Sequence, residues 1–195
     1  MKGNHAIIVI SGLPRSGTSM MMKMLQNSGI PILTDHLRKA DQDNPKGYYE
    51  LERVKALHKD ADKSWLRESE GKAIKVISSL LTELPPRYTY KVIFMLRNLE
   101  EVLASQNKML VRRGEPVDPK NDARMKELYE KHLVKIKDWL TRQSNFEVLE
   151  LNYADVVGNP LEQASRVKDF LAMDLDLATM VAAVERKLYR NRATI

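Results

Sequence analysis

The sequence predicts an α/β protein of three layers, α/β/α, with helices on both faces of a mostly parallel central sheet. Three observations carry that expectation. Short β-branched apolar runs alternate with longer segments whose apolar residues recur every three or four positions. The first run, Ala6-Ile7-Ile8-Val9-Ile10, has no polar interruption, the pattern of a strand covered on both faces. It enters the turn Gly12-Leu13-Pro14-Arg15-Ser16-Gly17, after which a helical segment begins. In such folds ligands bind at the carboxyl ends of the strands.

The elements follow in order. Thr18 to Ser28 is rich in Met and Leu, good helix formers, and stops at Gly29, a C-terminal cap. Residues Ile30 to Gly47 mix Pro, Asp, Asn and Gly and predict a surface connection. Leu51, Val54, Leu57, Ala61 and Trp65 then recur as a helical stripe. Ala73 to Ile77 and Tyr90 to Leu96 are the second and third strands. Asn98 is placed to cap the next helix, with Glu101 three residues on and Val102, Leu103, Met109 and Leu110 along one side. Gly114 and two prolines break the chain between Arg112 and Lys120. A long helix from about Asp122 to Arg142, a strand from Phe146 to Leu151, and helices near Pro160 to Leu171 and Leu175 to Leu188 complete the reading. At 195 residues, residues 1–195 are expected to form a single domain.

Composition narrows the partners. Lys and Arg number 32 against 26 Asp and Glu, a net charge of +6 that favours anionic ligands. The basic residues are interspersed with acidic ones and only 6% of residues are aromatic, so no stacking platform for nucleic acid stands out. The absence of cysteine excludes disulfides, thiolate metal sites and a cysteine nucleophile, and suits the cytoplasm. No apolar run approaches the roughly 20 residues of a membrane span, and no signal peptide is visible.

The turn between the first strand and helix is where a nucleotide-binding protein places its phosphate loop. Its glycines allow a tight backbone whose N–H groups face an anion, with Ser16, Thr18 and Ser19 as hydroxyl donors. The lysine expected after the second glycine of an ATP- or GTP-hydrolysing loop is replaced by Thr18, and no strand ends in an aspartate suited to magnesium. A metal is therefore not expected. A cation sits inside the loop instead, at Arg15, whose guanidinium can fork two oxygens of an anion.

Pro14-Arg15-Ser16-Gly17-Thr18-Ser19 resembles the 5′-phosphosulfate loop of the sulfotransferase superfamily, and Arg97-Asn98-Leu99-Glu100-Glu101-Val102-Leu103-Ala104-Ser105 is similar to its 3′-phosphate motif. The resemblance implies a P-loop nucleotide-kinase-like fold and a sulfuryl donor, 3′-phosphoadenosine 5′-phosphosulfate, with 3′,5′-ADP as product. It implies that Pro14 to Ser19 bind the phosphosulfate and that Arg97 and Ser105 clamp the 3′-phosphate. Asn152-Tyr153-Ala154-Asp155 looks like a segment in which the tyrosine lies on the nucleoside side. Asn44-Pro45-Lys46-Gly47-Tyr48-Tyr49-Glu50 resembles a stretch that precedes an acidic residue near the acceptor. The end of the chain departs from the small-molecule branch, where Arg190 and Arg192 offer substitute cations.

The expected reaction is sulfuryl transfer to a hydroxyl or amine of a small-molecule or glycan acceptor. Arg15 would stabilise developing charge and Lys75 would reach the sulfuryl group. Cytosolic relatives carry a basic histidine two residues after that lysine, where Ile77 stands here; other branches of the family use a glutamate, so the resemblance makes Glu50 the first choice of general base and Glu52 the second. Asp35, His36, His58 and His132 read as ordinary surface or structural groups. The alternatives are a P-loop small-molecule or nucleoside kinase, or a non-catalytic binder of 3′-phosphorylated nucleotides.

Overall fold

A computed structural model describes residues 6–42, 44 and 47–189. Four strands, β1 (Ile7–Gly12), β2 (Ala73–Lys75), β3 (Tyr90–Leu96) and β4 (Phe146–Asn152), form one sheet in the order β2-β1-β3-β4. All pairings are parallel, with Val9 opposite Ile74 on one side and Val92 on the other. From β1 the chain crosses to β2 and then returns past β1 to β3. The order thus reverses beside β1, and the glycine turn stands at the carboxyl end of that strand, where such a reversal opens a crevice.

Alternation along β1 and β3 divides the core. Ile8, Ile10, Ile93 and Met95 pack with Met21, Met22, Met24 and Leu25 of α1 (Thr18–Asn27). Ile7, Val9, Val92 and Phe94 face the other layer, where Trp65, Leu66, Ile136 and Leu140 cover them. α2 (Glu52–Lys55), α3 (Leu99–Arg112), α4 (Asp122–Thr141), α5 (Tyr153–Gly158), α6 (Pro160–Leu171) and α7 (Leu177–Ala182) complete the helices. As expected, Asn98 caps α3, its side chain accepting from the Glu101 N–H at 3.2 Å. No helix among the described residues is long and apolar enough to cross a membrane.

Three elements differ from the sequence reading. The stripe from Leu51 to Trp65 is not one helix: α2 ends at Lys55, and a 3-10 segment begins at Ser64. Local aspartates redirect the backbone, since Asp62 accepts from both the N–H and the hydroxyl of Ser64 at 2.9 Å and Asp60 accepts from the Trp65 indole at 3.1 Å. The stripe still marks burial, for Leu57 and Trp65 both enter the core. β2 stops at Lys75, two residues early, and a 3-10 segment follows over Ser78–Glu83. The last helix is split into α7 and a 3-10 turn at Arg186–Leu188, whereas Asp176 caps α7 through the N–H groups of Ala178 and Thr179.

Phe94 is fully buried on the central strand β3. Phe94→Ala is expected to lower the unfolding free energy by about 3–5 kcal/mol in urea titration, because deleting the ring loses its burial and leaves a cavity in the core.

Candidate functional site

The backbone of the turn is fixed by two glycines. Gly12 has φ 144°, and a Cβ there would lie 2.4 Å from the Met95 carbonyl oxygen. Gly17 has φ 99°, and its Cβ would lie 2.4 Å from Cδ2 of Tyr153. The tyrosine ring therefore closes directly over the start of α1. Between the glycines Arg15 adopts φ 71°, a left-handed conformation that costs a side-chain-bearing residue about 1–3 kcal/mol. The N–H groups of the first turn of α1 have no partners within the helix and face the carboxyl end of the sheet.

Arg15 and Arg97 lock the turn to the third strand. Arg15 Nε donates to Ser105 Oγ at 2.9 Å, while Arg97 Nη1 donates to the Arg15 carbonyl oxygen at 3.1 Å. Ser105 lies two turns into α3 and is buried, so the two sequence motifs meet in space. Arg97 Nε also pairs with Glu101 Oε2 at 2.9 Å, with both side chains under 10% exposed. Its guanidinium lies 4.5 Å from the Tyr153 ring centroid and 5.5 Å from that of Tyr189. The Tyr189 hydroxyl donates to Glu101 Oε1 at 2.7 Å, and the two tyrosine rings meet edge to face at 5.0 Å.

On the other side of the turn, Lys75 at the tip of β2 donates to Ser19 Oγ at 3.1 Å and to the Tyr48 carbonyl oxygen at 2.8 Å. Burial pushes the Lys75 ammonium down to about 8, against the pull of the nearby Glu50 carboxylate. Glu50 accepts from Arg38 Nη1 at 2.8 Å and pairs with Lys55 Nζ at 3.0 Å. Arg38 in turn stacks 3.3 Å above the Tyr48 ring centroid. Burial raises the pKa of Tyr48, whose hydroxyl is bonded to Asp41 at 2.7 Å.

These groups surround one cavity of about 480 Å³, within the size range of small-ligand sites. Pro14, Arg15, Gly17, Thr18 and Ser19 line it from the turn. Glu50 and Lys75 line it from the β2 side, and Arg97, Ser105 and Tyr153 from the β3 and β4 side. Ser16 is the exception among the residues singled out for phosphosulfate. It lies beneath the turn at 1% exposure and off the cavity wall, with its Oγ making no hydrogen bond. Ser19 does line the cavity, but its hydroxyl already accepts from Asn44 Nδ2 at 2.8 Å as well as from Lys75.

The second-choice base, Glu52, points to Lys55 at 3.0 Å on the exposed side of α2 and off the cavity. Asp35 accepts from the N–H groups of Leu37 and Glu52, which hold its carboxyl below the usual range, and His132 bonds Ser78 at 2.8 Å. Both are structural contacts. Pro45, Lys46, Arg190 and Arg192 lie outside the described residues. Among the described residues no group of His, Asp or Glu is placed to hold a metal ion.

The sequence reading missed three members of the site. Glu101 was legible in principle, as a carboxylate in the first turn of α3 four residues after Arg97. Arg38 and Tyr189 had no local signal: Arg38 lines the cavity from an aperiodic connection, and Tyr189 joins through Glu101, 88 residues away. Gly17→Ala tests the closure over the turn. Its methyl group would strike the Tyr153 ring in a strained backbone, so the melting temperature is expected to fall and phosphate-bearing nucleotides to lose most of their stabilising effect in thermal shift.

The family model for the sulfotransferase domain matches residues 6–191. Among solved structures, the sulfotransferase domain from the curacin biosynthetic pathway superposes with a TM-score of 0.54 at 17% identity, covering 92% of this chain and 78% of that one. A sulfotransferase from Alicyclobacillus acidocaldarius gives 0.51 at 15% identity, covering 96% and 97%. At these identities the likeness establishes the fold. No curated protein sequence matches the chain.

Proposed function

The chain belongs to the sulfotransferase domain family, and on that premise we propose that residues 1–195 act as one catalytic domain, transferring a sulfuryl group from 3′-phosphoadenosine 5′-phosphosulfate to a hydroxyl or amine of a small-molecule or glycan acceptor. The observation that carries this reading is the contact between the two anion-binding motifs, in which Arg97 holds the Arg15 carbonyl and Arg15 reaches Ser105. A donor with anionic groups at both ends of one adenosine fits that arrangement. The unpartnered N–H groups of α1 and the face of Tyr153 beside them supply further contacts of the right chemistry.

When bound, the donor supplies a sulfuryl group whose departure leaves 3′,5′-ADP. Arg15, Thr18 and the N–H groups of the turn hold the phosphosulfate and offset negative charge at its oxygens. Arg97 and Ser105 hold the 3′-phosphate, and Tyr153 borders the nucleoside. Lys75 acts as a cation, consistent with its donating to two oxygens. Glu50 accepts the acceptor's proton, while Arg38 and Lys55 orient its carboxylate toward the cavity. A sulfuryl group carries less charge than a terminal phosphoryl group, so backbone N–H groups, arginine and lysine suffice to hold it. The kinase reading loses ground because Thr18 occupies the lysine position of an ATP-hydrolysing loop. A cysteine-free chain fits a cytoplasmic setting.

The decisive measurement is thermal stabilisation. At a concentration of 100 Kd, 3′,5′-ADP is expected to add about 2.7 kcal/mol, whereas ADP or ATP with magnesium adds far less. Replacing Arg97 alone would strand the Glu101 carboxylate, so the test uses the pair Arg97→Met with Glu101→Gln, and separately Ser105→Ala. Both are expected to weaken the 3′,5′-ADP effect, and an equal response to ADP would reject the 3′-phosphate clamp. In Glu50→Gln, turnover is expected to fall by about a hundredfold or more with 3′,5′-ADP binding retained.

The Lys75 role predicts a pH dependence of definite sign. Its useful form is protonated, so with a folded value of about 8 the rate should hold below that pH and fall by about tenfold per unit above it. A rate that rose through the same interval would assign Lys75 as a base instead. Lys75→Arg should move the falling limb to higher pH.

A further inference from the structure

The turn and Arg97 bring N–H groups and cations to the cavity, but the wall that carries Glu50 and Lys75 is of another kind. It is completed by Leu51, Val54, Ile77 and Leu80. The course of the chain explains the grouping. The Val76 N–H donates to the Ile10 carbonyl oxygen at 3.0 Å, so the backbone stays extended past the tip of β2. Val76 is fully buried, and Lys75 and Ile77 on either side of it project the other way, into the cavity. Ile77 is left 38% exposed there. Leu51 follows Glu50 directly, and both Leu51 and Leu80 pack against the core cluster that contains Val54, Leu57 and Leu81. The apolar wall is therefore backed by the core and begins at the carboxylate proposed as base.

We infer that the acceptor carries its hydroxyl or amine on an apolar aromatic or aliphatic body, which lies against Leu51, Val54, Ile77 and Leu80, and that it is not a saccharide. The inference rests on the sulfuryl-transfer reading above and names the class of its second substrate. The charged groups of this wall already bond one another or the neighbouring chain. Glu50 holds Arg38 and Lys55, while Lys75 donates to Ser19 Oγ and the Tyr48 carbonyl oxygen. A sugar, with a hydroxyl on nearly every carbon, would have to displace those bonds or set its hydroxyls unpaired against leucine and isoleucine, and an unpaired polar group costs more than a hydrogen bond returns. An apolar body makes neither demand. It removes Ile77 from water, a gain proportional to the area covered, and its reacting atom reaches Glu50 at the edge of the same wall.

Two neutral probes of comparable size separate the classes, β-naphthol and methyl β-glucoside. Binding of each is measured by calorimetry to protein saturated with 3′,5′-ADP and again without nucleotide. β-Naphthol is expected to bind about tenfold or more tightly than the glucoside. With 3′-phosphoadenosine 5′-phosphosulfate as donor, kcat/KM should favour it by a similar factor. Ile77→Asn should weaken β-naphthol about tenfold and Ile77→Leu should keep its affinity, with the melting temperature and the 3′,5′-ADP shift retained in both, which separates a lost contact from lost folding. Equal or tighter binding of the glucoside, a kcat/KM that favours it, or β-naphthol affinity that survives Ile77→Asn overturns the inference. Failure of 3′,5′-ADP to stabilise the protein is a different result: it overturns the donor assignment, and the nucleotide-free arm still reads which body the wall takes.

Discussion

The bond from Arg97 to the Arg15 carbonyl is the contact on which the rest of the site depends. Arg15 stands in a backbone conformation that a side chain disfavours, and a main-chain oxygen held from outside the turn keeps it there. The donor of that bond is itself fixed. Glu101 grips the opposite edge of its guanidinium, Tyr189 grips Glu101, and Tyr153 covers the flat face. A buried charge pair of this kind adds little net stability once desolvation is counted. Its contribution is geometric: it joins the end of β1 to the end of β3, so the glycine turn and the start of the segment after β3 are held as one unit.

That rigidity begins in the sheet. β1 lies between β2 and β3, and a strand covered on both faces favours the apolar run Ile7 to Ile10. The chain leaves β1 at Gly12, and the turn that follows stands at the tip of the strand. Lys75, Arg97 and Tyr153 close β2, β3 and β4 respectively, so three separate crossovers deliver cationic or aromatic groups to one rim.

The parts of this design legible in sequence are those with local causes. The run of Ile and Val at β1, the paired glycines and the Asn98 cap each declare themselves within ten residues, and all three stand where they were expected. The helix expected over Leu51 to Trp65 failed because aspartate side chains at 60 and 62 competed for backbone N–H groups, a contest that apolar spacing does not register. Ser16 looked like a phosphate ligand by composition of the loop, yet the φ of its neighbours turns it under the backbone. Arg38 and Tyr189 were invisible for the opposite reason. Tyr189 meets Glu101 from 88 residues away, and Arg38 meets Glu50 12 residues on across a segment with neither helical nor strand periodicity.

The Ser19 hydroxyl has a consequence of its own. It lies in the first turn of α1, yet it accepts from Asn44 and shares the Tyr48 carbonyl with Lys75, so the segment that carries Glu50 is moored to the glycine turn. Any ligand that shifts the turn by an ångström drags the mooring with it. Opposite walls of the cavity are thus mechanically coupled through a single hydroxyl, and a strain applied at one is felt by the carboxylate on the other.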